Sequence, residues 1–343
     1  MTGPVHVEPM PAPSDAYSSK VVLITGGLGF IGSNLAHRLA RESGAEIRIV
    51  DALHPRCGGN RRNLDGLARQ AEVHVFDLAD AALLEAAIEG VEVVFNLAGQ
   101  VSHIDSMEHP LEDLEANCRA HLALLEACRK LAPRARVVYA STRQIYGRPR
   151  SLPVDEAHPI VPTDINGVDK YAAESYHRVY HQAHGLETSA LRLTNTYGPR
   201  QLVRHSRQGF IGWFIHRLLC GEEVTLFGDG RQVRDLNYVD CVVDAFLRAG
   251  VDARAVGRVY NLGSGEPIAL IELVELMIAL HGRGSYRLVP FPEERRRIDI
   301  GSFESDYGRI RRELGWRPTV TLREGLGRTL EFFERNREVY LKC

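Results

Sequence analysis

The chain has 343 residues, is 44% hydrophobic and 25% charged, and carries a formal net charge of −2. That length suits one large or two closely joined domains in an ordinary soluble globular protein, and the near-neutral charge excludes a global field that would gather nucleic acid or an anionic membrane. No apolar run reaches membrane-spanning length, and the six cysteines contain no CxxC pair, so they read as reduced, mostly buried thiols suited to a cytoplasm.

Residues 1–19 are rich in Pro and Ser, lack an apolar signal core and read as a disordered leader. Structure is expected from Lys20. Apolar runs at Val21–Ile24, Ile47–Val50, Val73–Phe76, Val91–Phe95 and Arg136–Ala140 read as strands, ending at a Gly-rich turn, Asp51, Asp77, Asn96 and Ser141. Helical patterns lie between them at Phe30–Arg41, Asn60–Gln70, Ala81–Glu89 and Leu111–Leu131. A long helix at Ile165–His184 and a strand at Thr188–Leu193 follow. This alternation predicts an α/β, Rossmann-type doubly wound parallel sheet covered on both faces. After Pro199 the elements shorten and arginines increase, which predicts a smaller C-terminal α/β substrate domain. The expected division is 20–199 for the cofactor, with part of 235–265 returning to it, and mainly 200–343 for the substrate.

The first motif is Thr25-Gly26-Gly27-Leu28-Gly29-Phe30-Ile31-Gly32. It follows a strand, opens a helix and is answered by Asp51 about 20 residues later. Gly26, Gly29 and Gly32 let backbone approach a pyrophosphate at a helix N-terminus. Asp51 can accept hydrogen bonds from ribose hydroxyls and would repel a 2′-phosphate, which favours NAD over NADP. His177, His181 and His184 lie at helical spacing, but no carboxylate or cysteine completes a metal site, so they read as an exposed helix face and no metal is expected.

This GxxGxxG spacing resembles that of the extended short-chain dehydrogenase/reductases, mostly nucleotide-sugar epimerases, dehydratases and decarboxylases. The resemblance runs from Lys20 to about Phe333. It implies that Asp77 and Leu78 contact adenine, and that Leu97, Ala98 and Gly99 line the cofactor with Asn117 beside them. Ser141-Thr142-Arg143-Gln144 resembles the family's strand-five end, where Thr142 would hydrogen-bond the reacting sugar hydroxyl. Dehydratases carry Asp-Glu where Arg143 and Gln144 stand, and decarboxylases favour a Glu at Gln144. In the family's Tyr-x-x-x-Lys, Lys170 matches and Asn166 replaces the tyrosine, whose phenolate removes the substrate proton. Lys170 would then hold the nicotinamide ribose. His103, in the loop after strand four, would overhang the sugar and has a suitable ordinary pKa for a base. A water held by Asn166 is the other expected substitute, with Tyr146 and Asp169 as weaker ones.

The resemblance further implies a nucleotide-diphosphate sugar held by Asn195, Gln208, Gly209, Arg234 and Arg297. Ala98-Gly99-Gln100-Val101 and Gln208–Phe214 resemble CDP-tyvelose 2-epimerases. The resulting expectation is an epimerase with NAD as bound cofactor, acting by transient oxidation at C4 or C2 and hydride return. A dehydratase or decarboxylase, or a non-catalytic binder of NAD and nucleotide sugar, are the alternatives. The resemblance also implies a homodimer, paired through helices near 111–131 and 165–184.

Overall fold

The structure is a computed structural model that describes residues 14–67, 69–341 and 343, with the side chain of Gln208 left out. Residues 1–13 of the expected leader lie outside the described residues, and its end is corrected. Ser14–Tyr17 forms a 3-10 turn, and the Tyr17 ring is fully buried, 6.1 Å from that of Phe95. Its hydroxyl donates to the Leu247 carbonyl at 2.6 Å. An aromatic ring with a satisfied hydroxyl is enough to anchor this segment to the core.

Seven parallel strands form the main sheet: β1 (Val21–Thr25), β2 (Glu46–Asp51), β3 (Ala71–Val75), β4 (Val93–Asn96), β5 (Arg136–Thr142), β6 (Glu187–Leu193) and Val259–Asn261. Across the sheet the order is Val259–Asn261, β6, β5, β4, β1, β2, β3. The chain moves outward from β1 to β3, then crosses back to lay β4 on the other side of β1. This reversal opens a crevice beyond the carboxyl ends of β1 and β4, where α/β sheets bind ligands. Val22, Leu23 and Ile24 are fully buried because helices cover both faces. Val73 and Val75 on the edge strand β3 stay exposed.

In chain order the α-helices up to Val251 among the described residues are α1 (Phe30–Glu42), α2 (Ala81–Ile88), α3 (His103–Glu108), α4 (Pro110–Leu114), α5 (Ala120–Leu131), α6 (Ile165–His184), α7 (Phe210–Leu219) and α8 (Val239–Val251). Asn60–Gln70, expected to be helical, makes a single 3-10 turn at Arg61–Leu64. The Asn60 side chain accepts from the Arg62 N–H at 3.0 Å, and Gly66 adopts φ +92°, so a cap and a left-handed residue leave no room for a longer helix. The helix expected at Leu111–Leu131 is interrupted by a π-turn at Glu115–Arg119, which locally resets which residues face inward and leaves Asn117 fully buried.

His177 is buried, contrary to the expected exposed helix face, while His184 is exposed. The face that carries His177 packs on the sheet, and Asn96 reaches it there. Among the described residues no group of three or more potential ligands could hold a metal.

Beyond β6, α7, Leu270–His281 and Leu322–Arg335 pack around Leu218, Leu226, Leu273 and Phe333. From this second region the chain returns through α8 to Val259–Asn261 on the main sheet. Cys220 and Cys343 form a disulfide, which corrects the expectation of six reduced thiols. They meet because Arg337 draws the C-terminal segment onto the end of α7, donating to the Leu219 carbonyl at 3.2 Å. Cys57, Cys118, Cys128 and Cys241 are free. No helix of the described residues is long and apolar enough to cross a membrane.

Candidate active site

A cavity of about 800 Å³ lies over the crevice at the ends of β1, β2, β4 and β5. Its size suits a cofactor with a substrate beside it. One end is made largely of backbone. Gly26, Gly29, Phe30, Ile31 and Gly32 line it where β1 turns into α1, with Asp51, Asp77, Leu78 and Leu97–Gly99 on the neighbouring strand ends. A Cβ on Gly32 would stand 2.4 Å from the Gly26 carbonyl oxygen, so only glycine lets α1 start this close to the strand. The N-terminus of α1 thereby faces the cavity with free N–H groups, as a pyrophosphate requires. Asp51 accepts from the Leu28 N–H at 3.0 Å and the Leu53 N–H at 2.8 Å. Burial raises its pKa and outweighs those N–H groups. The carboxylate is thus anchored at the rim, where a ribose would reach it. This end fits NAD.

Behind the cavity wall lies a buried chain of polar side chains. Thr25 Oγ1 donates to Asn96 Oδ1 at 2.9 Å, and the Asn96 amide faces His121 Nδ1 at 2.9 Å and His177 Nε2 at 3.2 Å. His177 Nδ1 faces the Ala173 carbonyl at 2.8 Å, which makes Nδ1 the protonated nitrogen and Nε2 the acceptor. Burial holds His177 down to about 4 and His121 well below the usual histidine range, so both are neutral.

The other end is made of side chains. Lys170 is buried on α6, and burial lowers its pKa to about 8 against the opposing pull of Asp113. Its Nζ sits against Gly99: a Cβ there would come within 3.0 Å of Nζ and 2.4 Å of Asn117 Oδ1. Asn166 is also buried, but its amide nitrogen is spent on the protein, donating to the Gln100 carbonyl at 2.9 Å and to Asp113 Oδ1 at 3.3 Å. Asn117 donates to the same two residues, each at 3.0 Å. Asn166 thus fastens the loop after β4 to α6, and Asn117 fastens it to the π-turn. Beneath them Asp169 lies near Asp113, with its Oδ2 buried and without a hydrogen-bond partner. Its pKa is pushed up to about 6, by burial first and then by the Asp113 carboxyl.

Thr142 ends β5 at the cavity wall, and its hydroxyl oxygen accepts from the Gln144 N–H at 3.2 Å. That bond caps the turn and leaves the hydroxyl proton free to donate. His103, at the start of α3, lines the cavity and stands with Nδ1 3.2 Å from Asp164 Oδ2. The contact has ion-pair distance, but no acceptor is aligned with Nδ1. Asp164 also takes Gln144 Nε2 at 2.7 Å and caps α6 through the Gly167 N–H at 2.7 Å. Burial alone would raise the Asp164 pKa, but these contacts, led by His103, bring it below the ordinary carboxylate value. Tyr146 does not line the cavity. Its hydroxyl donates to Asn261 Oδ1 at 2.7 Å and takes Arg192 Nη1 at 2.6 Å, and burial pushes its pKa up to about 12. Asp169 likewise lies behind the wall.

Of the expected substrate residues, Thr142, Asn195 and Gly209 line the cavity. The Gln208 side chain lies outside the described residues. Neither Arg234 nor Arg297 reaches the wall. Arg234 is drawn to the Gly301 carbonyl at 2.8 Å and Gln232 Oε1 at 2.8 Å, while Arg297 sits on the exposed Glu293–Ile298 helix beside Glu293. Sequence reading passed over Asp113 and Asp164. A carboxylate four positions before Asn117 and an Asp at a helix N-cap were the signals that could have flagged them.

Residues 22–263 match the NAD dependent epimerase/dehydratase family. The chain is 34% identical over 317 residues to a UDP-glucose 4-epimerase of Mycolicibacterium smegmatis, covering 91% of this chain and 97% of the relative. It superposes on an epimerase from Methanothermobacter thermautotrophicus with a TM-score of 0.90 at 28% identity, over 97% of this chain and 98% of that one. A Thermus thermophilus UDP-glucose 4-epimerase in complex with NAD gives a TM-score of 0.81 at 33% identity, over 91% and 98%. The chain belongs to the NAD-dependent epimerase/dehydratase family of extended short-chain dehydrogenase/reductases, with NAD as its cofactor.

Proposed function

We propose that the protein is a nucleotide-sugar epimerase that inverts one sugar carbon, C4 or C2, by transient oxidation. The observation that carries this reading is the shared wall of the cavity. Thr142, Lys170 and His103 line one space with the glycine loop, while Arg143 and Gln144 stand where dehydration or decarboxylation would need acids. Bound NAD supplies a site that takes a hydride and returns it. Thr142 donates to the sugar hydroxyl and orients it. Lys170 holds the nicotinamide ribose. His103 takes the hydroxyl proton as the carbon is oxidised and gives it back on reduction, with the Asp164 carboxylate stabilising the imidazolium between the two steps. The cofactor would be held by 20–199 with the returning part of 235–265, and the sugar mainly by 200–343.

A panel of nucleotide sugars followed by NMR of the products tests this. An inverted stereocentre is the expected result. A 4-keto-6-deoxy product or released CO₂ would support a dehydratase or decarboxylase instead. The commitment of the Asn166 amide to Gln100 and Asp113 favours one further reading, a silent binder, which tight binding without product would establish.

Leu111, Leu114, Leu122, Val168 and Val179 are exposed on α4, α5 and α6. Exposed apolar side chains on these helices support a homodimer through them, testable by light scattering. The four free thiols support a cytoplasmic location, with the bridge at residue 343 as the exception. Thiol counting on protein isolated without reductant checks both.

A further inference from the structure

Arg143 is the feature of the cavity wall that the proposed chemistry leaves unused. It follows Thr142 directly in the chain, and both residues line the same cavity. Its Nη2 donates to Asn195 Oδ1 at 2.9 Å, and its guanidinium lies 5.2 Å from the centre of the Phe303 ring. Nη1 is buried and has no partner. Among the described residues no carboxylate oxygen comes within 4.0 Å of the guanidinium. Burial lowers its pKa to about 9, and the charge of Arg234 adds to that effect, while Asp235, Asp299 and Asp164 oppose it from a distance.

A buried cation with an unsatisfied N–H and no direct counter-ion is costly unless something arrives to compensate it. Elsewhere the protein pays that compensation from its own residues. Arg192, more deeply buried than the half-buried Arg143, lies 2.6 Å from Glu174, and Arg234 is surrounded by protein acceptors. Arg143 alone of these three faces the cavity, and it alone lacks a carboxylate.

We infer that Arg143 receives a carboxylate on the sugar itself, so that the preferred substrate class is a nucleotide-linked uronic acid rather than a neutral hexose. This rests on the epimerase reading above and sharpens it. The planar fork of arginine matches a carboxylate in two-point contact. Thr142 and Arg143 line the same cavity, so a sugar held by the Thr142 hydroxyl lies in the space that the guanidinium faces. The diphosphate is the other anion that could answer the same cation, and the test separates the two because it compares ligands that share a diphosphate.

The experiment is calorimetric binding of UDP-glucuronic acid and UDP-glucose to the full-length protein loaded with NAD, repeated with the dTDP-linked sugars. The expected result is at least about a tenfold preference for the acidic sugar. In Arg143→Gln the ratio should fall to within about threefold of unity. Reading a ratio within one variant cancels any general loss of binding. Should Arg143→Gln not fold, Arg143→Lys keeps the charge and loses the fork, and an intermediate ratio is expected. Equal affinities in the wild type overturn the inference and leave the epimerase reading standing. Equal affinities together with weaker binding of UDP alone to Arg143→Gln would assign Arg143 to the diphosphate. Binding of no sugar once CDP- and GDP-linked forms are added to the UDP and dTDP ones overturns the epimerase reading itself.

Discussion

The two ends of the cavity are built in different ways. At the cofactor end the working groups are backbone N–H groups, set by the turn from β1 into α1, where a Cβ on Gly26 or Gly32 would come within 3 Å of neighbouring backbone. At the reaction end they are side chains: Thr142, Arg143, Gln144, Asn166, Lys170 and His103. A backbone site changes only if the fold changes. A side-chain site can be rewritten residue by residue on an unchanged frame, and here the tyrosine position holds an asparagine that fastens a loop while the frame stays intact. The contrast explains how a chain can keep a family's cofactor site and depart from its proton chemistry.

The sharpest way to break this comparison is at His103. If it is the base, His103→Ala should lower kcat by about a hundredfold to ten-thousandfold, with little change in KM and NAD affinity. Unchanged turnover in steady-state kinetics would return the role to a water held by Asn166. The companion change Asp164→Asn keeps a capping side chain and removes the carboxylate charge, so it should lower kcat by about tenfold and shift the pH–rate profile.

Gly32→Ala probes the opposite end. Its Cβ would meet the Gly26 carbonyl oxygen at 2.4 Å and Gly27 Cα at 2.8 Å, both backbone. Overpacking against groups that cannot rotate away costs about 1–3 kcal/mol, so NAD affinity should fall by up to about a hundredfold. Fluorescence titration with NADH reads it. A variant that binds normally would show that the glycine loop is less rigid than the contacts imply.

Asp169 tests what lies beneath the reaction end. Its folded pKa of about 6 stands above the ordinary 3.8, so between those values the folded protein keeps a proton that the unfolded chain has released. Stability therefore falls as pH rises from about 4 to about 6. Asp169→Asn should flatten that slope and stabilise the protein above pH 6. Chemical denaturation across this range measures it. A slope that survives the substitution would assign it to other carboxyls.

The smallest effect concerns Lys170. With a pKa of about 8 its ammonium is lost as pH rises through that value. Activity that depends on the charge should decline above pH 8, approaching about tenfold per unit once titration is well advanced. A flat profile to pH 10 would mean that the charge is dispensable and the side chain only fills space.

Much of this frame could be read from the sequence. The strands Val21–Ile24, Ile47–Val50 and Arg136–Ala140 and the helix Ile165–His184 are unbroken apolar runs or clean helical patterns, and local pattern decides such elements. Asn60–Gln70 misled because a helical pattern says nothing of the cap at Asn60 or the left-handed Gly66 that end it after one turn. Tyr17 was hidden in a Pro-rich stretch because a single ring gives no periodic signal. The glycine loop with Asp51, and the pairing of Lys170 with a missing tyrosine, were also legible, since both are spacings within a short stretch of chain.

What only the tertiary structure decided are the contacts between segments far apart in sequence. The amide of Asn166 meets Gln100 and Asp113, 66 and 53 positions away. His103 faces Asp164, the buried cation at Arg143 lies beside Asn195, and Cys343 closes on Cys220. Arg234 and Arg297 were placed by motif at the substrate, and packing turned one toward Gly301 and left the other on an exposed helix. The physical reason is common to all of these. Chain-local spacing fixes which face of an element a residue occupies, but a side chain's partner, burial and charge state depend on what the rest of the fold brings against that face.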